Sequence, residues 1–284
     1  MIEDPSGRIE YDEQGTGPTI LFVPGSWSTP SAWRGVIAPL ADRFRIVTTS
    51  LLGYGNTEER RTSSDASIDR EAEILEAIIG RAGGAIHLVG HSYGSVVCLA
   101  VVLRPAVQLA SLTVIEPTTF NLLRHCGDID LYEQVCTMRD AYVDAYRNRE
   151  GDAARRVIDF YGGSGSFYAF PQRMRDSIIA TTATNVLDWI SGMGFDPELA
   201  AYASITVPSL VIRGECGHPA VRRTAEILGG AIPNSALVTV SSASHFVIAT
   251  HASEVARLIG AHVSRLEMLS QSGAHIDRGT RVPS

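Results

Sequence analysis

The chain has 284 residues, 45% of them hydrophobic, and carries a formal net charge of −7 with a pI near 5.6. That length and apolar content suit one domain with a sizeable core. The acidic balance, with no basic run or stripe, excludes a general nucleic-acid or anionic-membrane binder. The opening Met1-Ile2-Glu3-Asp4-Pro5 lacks an apolar segment and does not read as a signal peptide. No stretch is long enough to span a bilayer, so a cytoplasmic location is expected. Cys98, Cys126, Cys136 and Cys216 show no CxxC spacing and are expected as free thiols. Cys216 and His218 alone are too few ligands for zinc.

Residues Arg8 to Asp12 and Thr19 to Val23 alternate or run apolar around Gln14-Gly15-Thr16-Gly17-Pro18. This predicts a hairpin opening into a buried strand. Pro24-Gly25-Ser26-Trp27 follows as a loop, and Arg43 to Thr49 reads as the next strand. Ile68 to Arg81 places Ile68, Leu75, Ile78 and Ile79 among charged residues, the pattern of an amphipathic helix laid on a sheet. Gly83-Gly84 stops it. The strand Ala85 to Val89 then runs into Gly90-His91-Ser92-Tyr93-Gly94 and a helix from Ser95 to Leu103. Strand, helix and strand in this order make a right-handed parallel crossover. A serine on a tight strand-to-helix turn takes a strained backbone that flanking glycines permit, and its hydroxyl projects at a helix N-terminus.

In that setting Gly90 to Gly94 resembles the nucleophile elbow of the α/β-hydrolase superfamily, and the resemblance extends from about Gly7 to His262. It implies an α/β fold: a mostly parallel doubly wound sheet with an inserted helical cap, and Ser92 as nucleophile. Fold alone does not fix the reaction. Under the resemblance Pro24 to Trp27 stands where the superfamily usually carries His-Gly and where the oxyanion hole begins. Its donors would be the backbone N–H groups of Ser26 and of Tyr93. Leu51 to Thr57 is similar to the superfamily's D-x-x-G-x-G-x-S loop, with Ser50 in place of the aspartate, a structural departure.

The strand Ser111 to Pro117 ends in Glu116. Between Thr118 and Ala203 the alternation of strands ceases. Leu131 to Arg147, Ala153 to Phe160 and Pro171 to Met193 read as helical, broken by Gly162-Gly163-Ser164-Gly165-Ser166. Residues 119–203 are therefore expected to form the cap, residues 1–118 and 204–266 the core, and the polar, aperiodic residues 267–284 a tail. Trp27, His91, Tyr161, Trp189 and Phe246 are the expected substrate-binding residues of an apolar cleft between cap and core.

The superfamily usually takes its acid from a G-x-x-D pattern after a strand that here is Pro208 to Gly214. This chain reads Gly214-Glu215-Cys216-Gly217, so Gly217 occupies the aspartate's place. A catalytic histidine needs an anionic partner to fix its tautomer, and two carboxylates remain. Glu116 lies 116 − 92 = 24 residues after the nucleophile, at the end of the neighbouring strand. This resembles the acid placement of zearalenone-type lactonases and some haloalkane dehalogenases. Glu215 is the rival, and a site without an acid is the third case. Helix His218 to Leu228, strand Ala236 to Val240 and the loop Ser241 to Phe246 follow. His245 stands where the superfamily carries its base, and the order Ser92, Glu116, His245 agrees with it. His251 begins a last helix, Ala252 to Val263, and His87 and His218 read as structural or pocket-lining.

These parts imply a serine hydrolase acting on a carboxylic ester or lactone of a compact apolar molecule, with no cofactor or metal called for. Cleavage of a C–C bond beside a ketone, thioester hydrolysis and perhydrolysis use the same triad. A serine at the elbow argues against haloalkane dehalogenase and epoxide hydrolase chemistry. A ligand-binding receptor that keeps the fold is the rival of another class, with Gly217 in its favour. A homodimer is left open.

Overall fold

The computed structural model describes residues 1–4 and 7–278. Strands β1 (Ile2–Asp4) and β2 (Gly7–Ile9) pair antiparallel as a separate ribbon. The chain continues through β3 (Asp12–Gln14), β4 (Thr19–Val23), α1 (Arg34–Ile37), β5 (Arg45–Thr48), α2 (Ile68–Ala82), β6 (Ile86–His91), α3 (Tyr93–Val102) and β7 (Leu109–Ile115). Seven helices follow: α4 (Asn121–His125), α5 (Ile129–Arg147), α6 (Arg155–Gly162), α7 (Ser166–Ala169), α8 (Gln172–Ala180), α9 (Thr182–Gly194) and α10 (Leu199–Ala203). Then come β8 (Ser209–Gly214), α11 (Pro219–Ala231), β9 (Ser235–Val240), α12 (Val247–Thr250) and α13 (Ala252–Arg278).

The main sheet has the order β3-β5-β4-β6-β7-β8-β9. Every pairing in it is parallel except β3 with β5. The hairpin expected across Gln14 to Pro18 is therefore a misreading, since β3 pairs with β5 and not with β4. β4 is buried at all five positions and apolar at the last four, so it takes a neighbour on each edge. The exposed Asp-Glu-Gln of β3 suits the sheet margin.

Alternate residues of each strand face opposite helical layers. Leu21 and Val23 pack with Leu75 and Ile78 of α2 and Val97 of α3. Ile20 and Phe22 pack with Val36 of α1 and Ile259 of α13. Ser67 caps α2 by accepting from the Asp69 amide at 3.2 Å. β4 lies between β5 and β6, so the crossovers leave it in opposite directions. A crevice opens at the carboxyl ends of β4 and β6, where this class of sheet binds ligands.

Two further readings are corrected. The run Pro171 to Met193 is two helices. The hydroxyls of Thr181 and Thr182 donate back to Ser177 O at 2.8 Å and Ile178 O at 3.0 Å, a competition that ends α8 before α9 begins. The last helix does not stop at Val263 but runs to Arg278, so residues 267–278 are not an irregular tail, and residues 279–284 lie outside the described residues. Glu267 anchors the extension by accepting from His87 Nε2 at 3.0 Å, while His87 Nδ1 lies 2.8 Å from Ser111 Oγ. Among the described residues no helix is long and apolar enough to cross a membrane.

Candidate active site

Ser92 stands between β6 and α3 with φ 54° and ψ −124°, a conformation that costs a residue with a Cβ and persists because its surroundings fix it. A Cβ at Gly90 would sit 2.6 Å from Gly94 O, and one at Gly94 would strike Pro24 O. Both glycines are thus required by close backbone approach. Ser92 Oγ lies 2.9 Å from His245 Nε2, and His245 Nδ1 lies 3.1 Å from Glu116 Oε2. Glu116 is fully buried and also has a positive φ, 50°, which turns its side chain from the end of β7 towards the neighbouring strand. Its Oε1 accepts from the Gly214 amide at 2.5 Å.

Gly217 leaves room for the Glu116 carboxylate. A Cβ there would lie 3.3 Å from Glu116 Oε2, so the carboxylate fills the space into which a side chain at position 217 would project. Glu215 points elsewhere and accepts from the Ser242 amide at 2.9 Å. His91, the second residue of the elbow, donates from Nε2 to the His245 carbonyl at 3.0 Å and so holds the loop that carries His245. Burial, followed by the nearby His245 ring, lowers the His91 pKa to about 3, against the opposing bond to His245 O. The His91 ring is therefore neutral.

The Ser26 amide follows β4 and the Tyr93 amide opens α3, and neither donates to another group among the described residues. Trp27 has φ 58°, which bends the loop after Ser26. A mostly apolar cavity of about 110 Å³ lies against Ser92, and Trp27, His91, Tyr161, Trp189 and Phe246 all line it. Tyr161 of α6 stacks on the His245 ring at 4.1 Å and 12°. Trp189 of α9 stacks on Phe120 at 6.1 Å, and Phe246 meets Phe170 edge-on at 5.4 Å. The helices between β7 and β8 thus roof the serine. Cys216 and His218 gain no third ligand among the described residues.

The family model described as the alpha/beta hydrolase family matches residues 20–258. The chain belongs to the α/β-hydrolase family. It is 26% identical over 262 residues to polyketide synthase ThaQ of Burkholderia thailandensis, covering 88% of this chain and 12% of that protein. It is 27% identical over 257 residues to 2-(acetamidomethylene)succinate hydrolase of Mesorhizobium japonicum, covering 85% of this chain and 87% of that protein. The enol-lactonase of Burkholderia xenovorans LB400 shares the fold at a TM-score of 0.70 and 18% identity, covering 90% of this chain and 96% of that one. The chain thus spans a small part of the synthase and most of the succinate hydrolase.

The sequence reading missed how this α/β hydrolase ties its roof to its core. Asp188 of α9 is 2% exposed. It accepts from Ser26 Oγ at 2.6 Å, Tyr54 OH at 2.7 Å and Arg61 Nη1 at 2.9 Å. Arg61 also pairs with Glu59 at 2.9 Å and Glu71 at 3.1 Å. Burial opposes the charge on Arg61, but these carboxylates prevail and raise its pKa. Burial raises Glu71 to about 7 and raises Asp188 as well, with Arg61 opposing both. An aspartate inside the apolar run Val186 to Ile190 was the available signal, because an ionised residue on a buried face needs partners.

A pH dependence follows from His91. Its folded pKa of about 3 lies below the ordinary 6.5, so the unfolded chain takes the proton first. The stability that His91 contributes is complete above about pH 6.5 and is lost as pH falls through about 3. His91→Gln, which can still donate to His245 O, is expected to make the acid fall in unfolding free energy shallower by up to about 1.4 kcal/mol per pH unit. Urea titrations of both proteins between those limits measure it, and coincident slopes would refute it.

Proposed function

We propose that this chain is a serine hydrolase that cleaves a carboxylic ester or lactone of a compact apolar molecule through an acyl-enzyme. The observation that carries the reading is the unbroken line from Ser92 Oγ through His245 to Glu116, set against a mostly apolar cavity. His245 Nε2 takes the Ser92 proton as Oγ attacks the carbonyl carbon. The Ser26 and Tyr93 amides stabilise the oxyanion. His245 then returns the proton to the departing alkoxide, and water repeats the sequence to release the acid and free Ser92. Glu116 holds Nδ1–H and stabilises the imidazolium.

The cavity is of the order of the ~150 Å³ that takes a benzene ring, which supports a small substrate. The Mesorhizobium relative is a hydrolase of a succinate, but among the described residues no lysine or arginine lines this cavity. An uncharged ester or lactone suits it better than a dicarboxylate.

A fluorophosphonate probe tests the reading. It is expected to add one adduct to the peptide carrying Ser92, with no adduct on folded Ser92→Ala and parallel loss of nitrophenyl ester turnover. A folded wild type that neither labels nor turns over short esters would favour the receptor alternative.

A further inference from the structure

The last turn of α6 is fitted to the catalytic histidine through three consecutive residues. Phe160 stacks on His218 with ring centroids 3.8 Å apart and 27° between the planes. Tyr161 lies on the His245 ring at 4.1 Å and 12°. Gly162 faces Phe246, where a Cβ would come within 2.6 Å of the ring, so the missing side chain lets the helix end approach this closely. Two other rings adjoin His245: His91 at 5.3 Å and 39°, and Phe246 at 6.0 Å and 75°. Among the described residues Tyr161 alone lies flat on the imidazole. The hydrogen bonds of His245, accepted from Ser92 Oγ at 2.9 Å and donated to Glu116 Oε2 at 3.1 Å, act in the plane of the ring. They hold its nitrogens and do little against a tilt of that plane, which a ring laid on the face does resist.

We infer that Tyr161 is a positioning residue of the hydrolytic reaction: it fixes the plane of His245 and stabilises the imidazolium formed when Nε2 takes the Ser92 proton. This rests on the hydrolase reading above, because a histidine that never gains a proton would draw only packing from the contact. Burial, then the nearby Glu116, pushes the Tyr161 hydroxyl pKa up, so the phenol is neutral and presents the negative face of its ring quadrupole. A cation within about 6 Å of an aromatic centroid is attracted by that face, and His245 is well inside this distance. It is also only 3% exposed, so water screens the attraction little. The neutral imidazole gains less from the face than the imidazolium does, and the difference lowers the barrier to proton transfer in acylation and in deacylation. Ser92, Glu116 and His245 stand at the ends of the sheet, whereas Tyr161 comes from the helices between β7 and β8. The roof thus supplies part of the machinery and does not merely enclose the substrate.

Tyr161→Phe and Tyr161→Leu are compared with the wild type on nitrophenyl acetate and nitrophenyl butyrate. The kcat is counted per fluorophosphonate-titrated serine, so that a misfolded fraction does not enter. Tyr161→Phe keeps the aromatic face and is expected to hold kcat within about threefold of wild type. Tyr161→Leu lacks the face and is expected to lose roughly tenfold or more in kcat, by the same factor on both esters, with KM changed less than about threefold. Proton NMR gives an independent reading: shielding by the tyrosine ring is expected to hold the His245 Cε1 proton upfield in the wild type and in Tyr161→Phe, and to vanish in Tyr161→Leu. An undiminished kcat in Tyr161→Leu overturns the assignment, as does a loss carried by KM or differing between the esters, which a substrate contact would produce. A loss equally large in Tyr161→Phe overturns it too, because the hydroxyl and not the face would then matter. Should Tyr161→Leu fail to fold, Tyr161→Met is read by the same outcomes. A wild type that neither turns over an ester nor takes the probe removes the hydrolase reading and this role with it. Wild-type turnover with an undiminished Tyr161→Leu removes the role alone.

Discussion

Glu116→Gln is expected to lower kcat on a nitrophenyl ester by about 10⁴-fold with the fold intact. The size of the effect comes from a forced tautomer. The Gly214 amide donates to Glu116 Oε1 at 2.5 Å, so the glutamine must keep its oxygen there and turn its NH₂ to His245 Nδ1. Nδ1 then becomes an acceptor and Nε2 carries the proton, which leaves no base facing Ser92 Oγ. Glu215→Gln is expected to change kcat less than twofold, because its bond to the Ser242 amide survives in the glutamine. The Glu116→Ala, Gly217→Asp double variant is expected to regain tenfold or more over Glu116→Ala, since truncating residue 116 vacates the space that a side chain at 217, whose Cβ starts 3.3 Å from the native carboxylate oxygen, would enter. Steady-state kinetics with circular dichroism as the folding control measures all three. A Glu116→Gln rate within tenfold of wild type would remove Glu116 from the triad.

Arg61→Leu is expected to cost about 3–5 kcal/mol of stability, the largest loss anticipated for a residue that touches neither Ser92 nor His245. Arg61 is 4% exposed and stands among Glu59, Glu71 and Asp188. Removing it leaves two buried carboxylates facing each other without a cation, so they must repel or take up protons. Glu71→Gln added to Arg61→Leu is expected to recover part of the loss by discharging one of them. For a chain of this length the single variant should melt roughly 10 °C lower. Urea and thermal unfolding measure both variants, and a change under about 1 kcal/mol in Arg61→Leu would mean that the network contributes no more than an exposed ion pair.

The parts of the site that the sequence disclosed are local or ordered along the chain. Ser92 was legible because its strand, glycines and helix are contiguous, and His245 because it follows the last strand. Glu116 emerged from a vacancy: Gly217 has no side chain, and the histidine needs a partner. What stayed hidden depends on partners far apart in sequence. Ser26, Asp188 and the pair Tyr54 and Arg61 belong to three separate segments, and no spacing announces that they meet. The false hairpin has the same origin, since β4 could be read as buried without revealing that β5 and β6 are its neighbours. Tyr161 was legible as a cavity residue, but nothing in its own segment reveals that the His245 ring lies beneath it.

The Asp188 network also constrains how a molecule reaches Ser92. Lifting α9 would part Asp188 from Arg61, Tyr54 and Ser26 in one motion, exposing buried charge and releasing the loop that carries Ser26. Among the described residues helix α8 carries no such tether: Met174 lines the cavity while remaining 44% exposed to solvent. Latch and doorway thus belong to different helices. A movement of α8 would leave the Asp188 contacts in place, so an opening beside Met174 would not disturb Ser92 or His245.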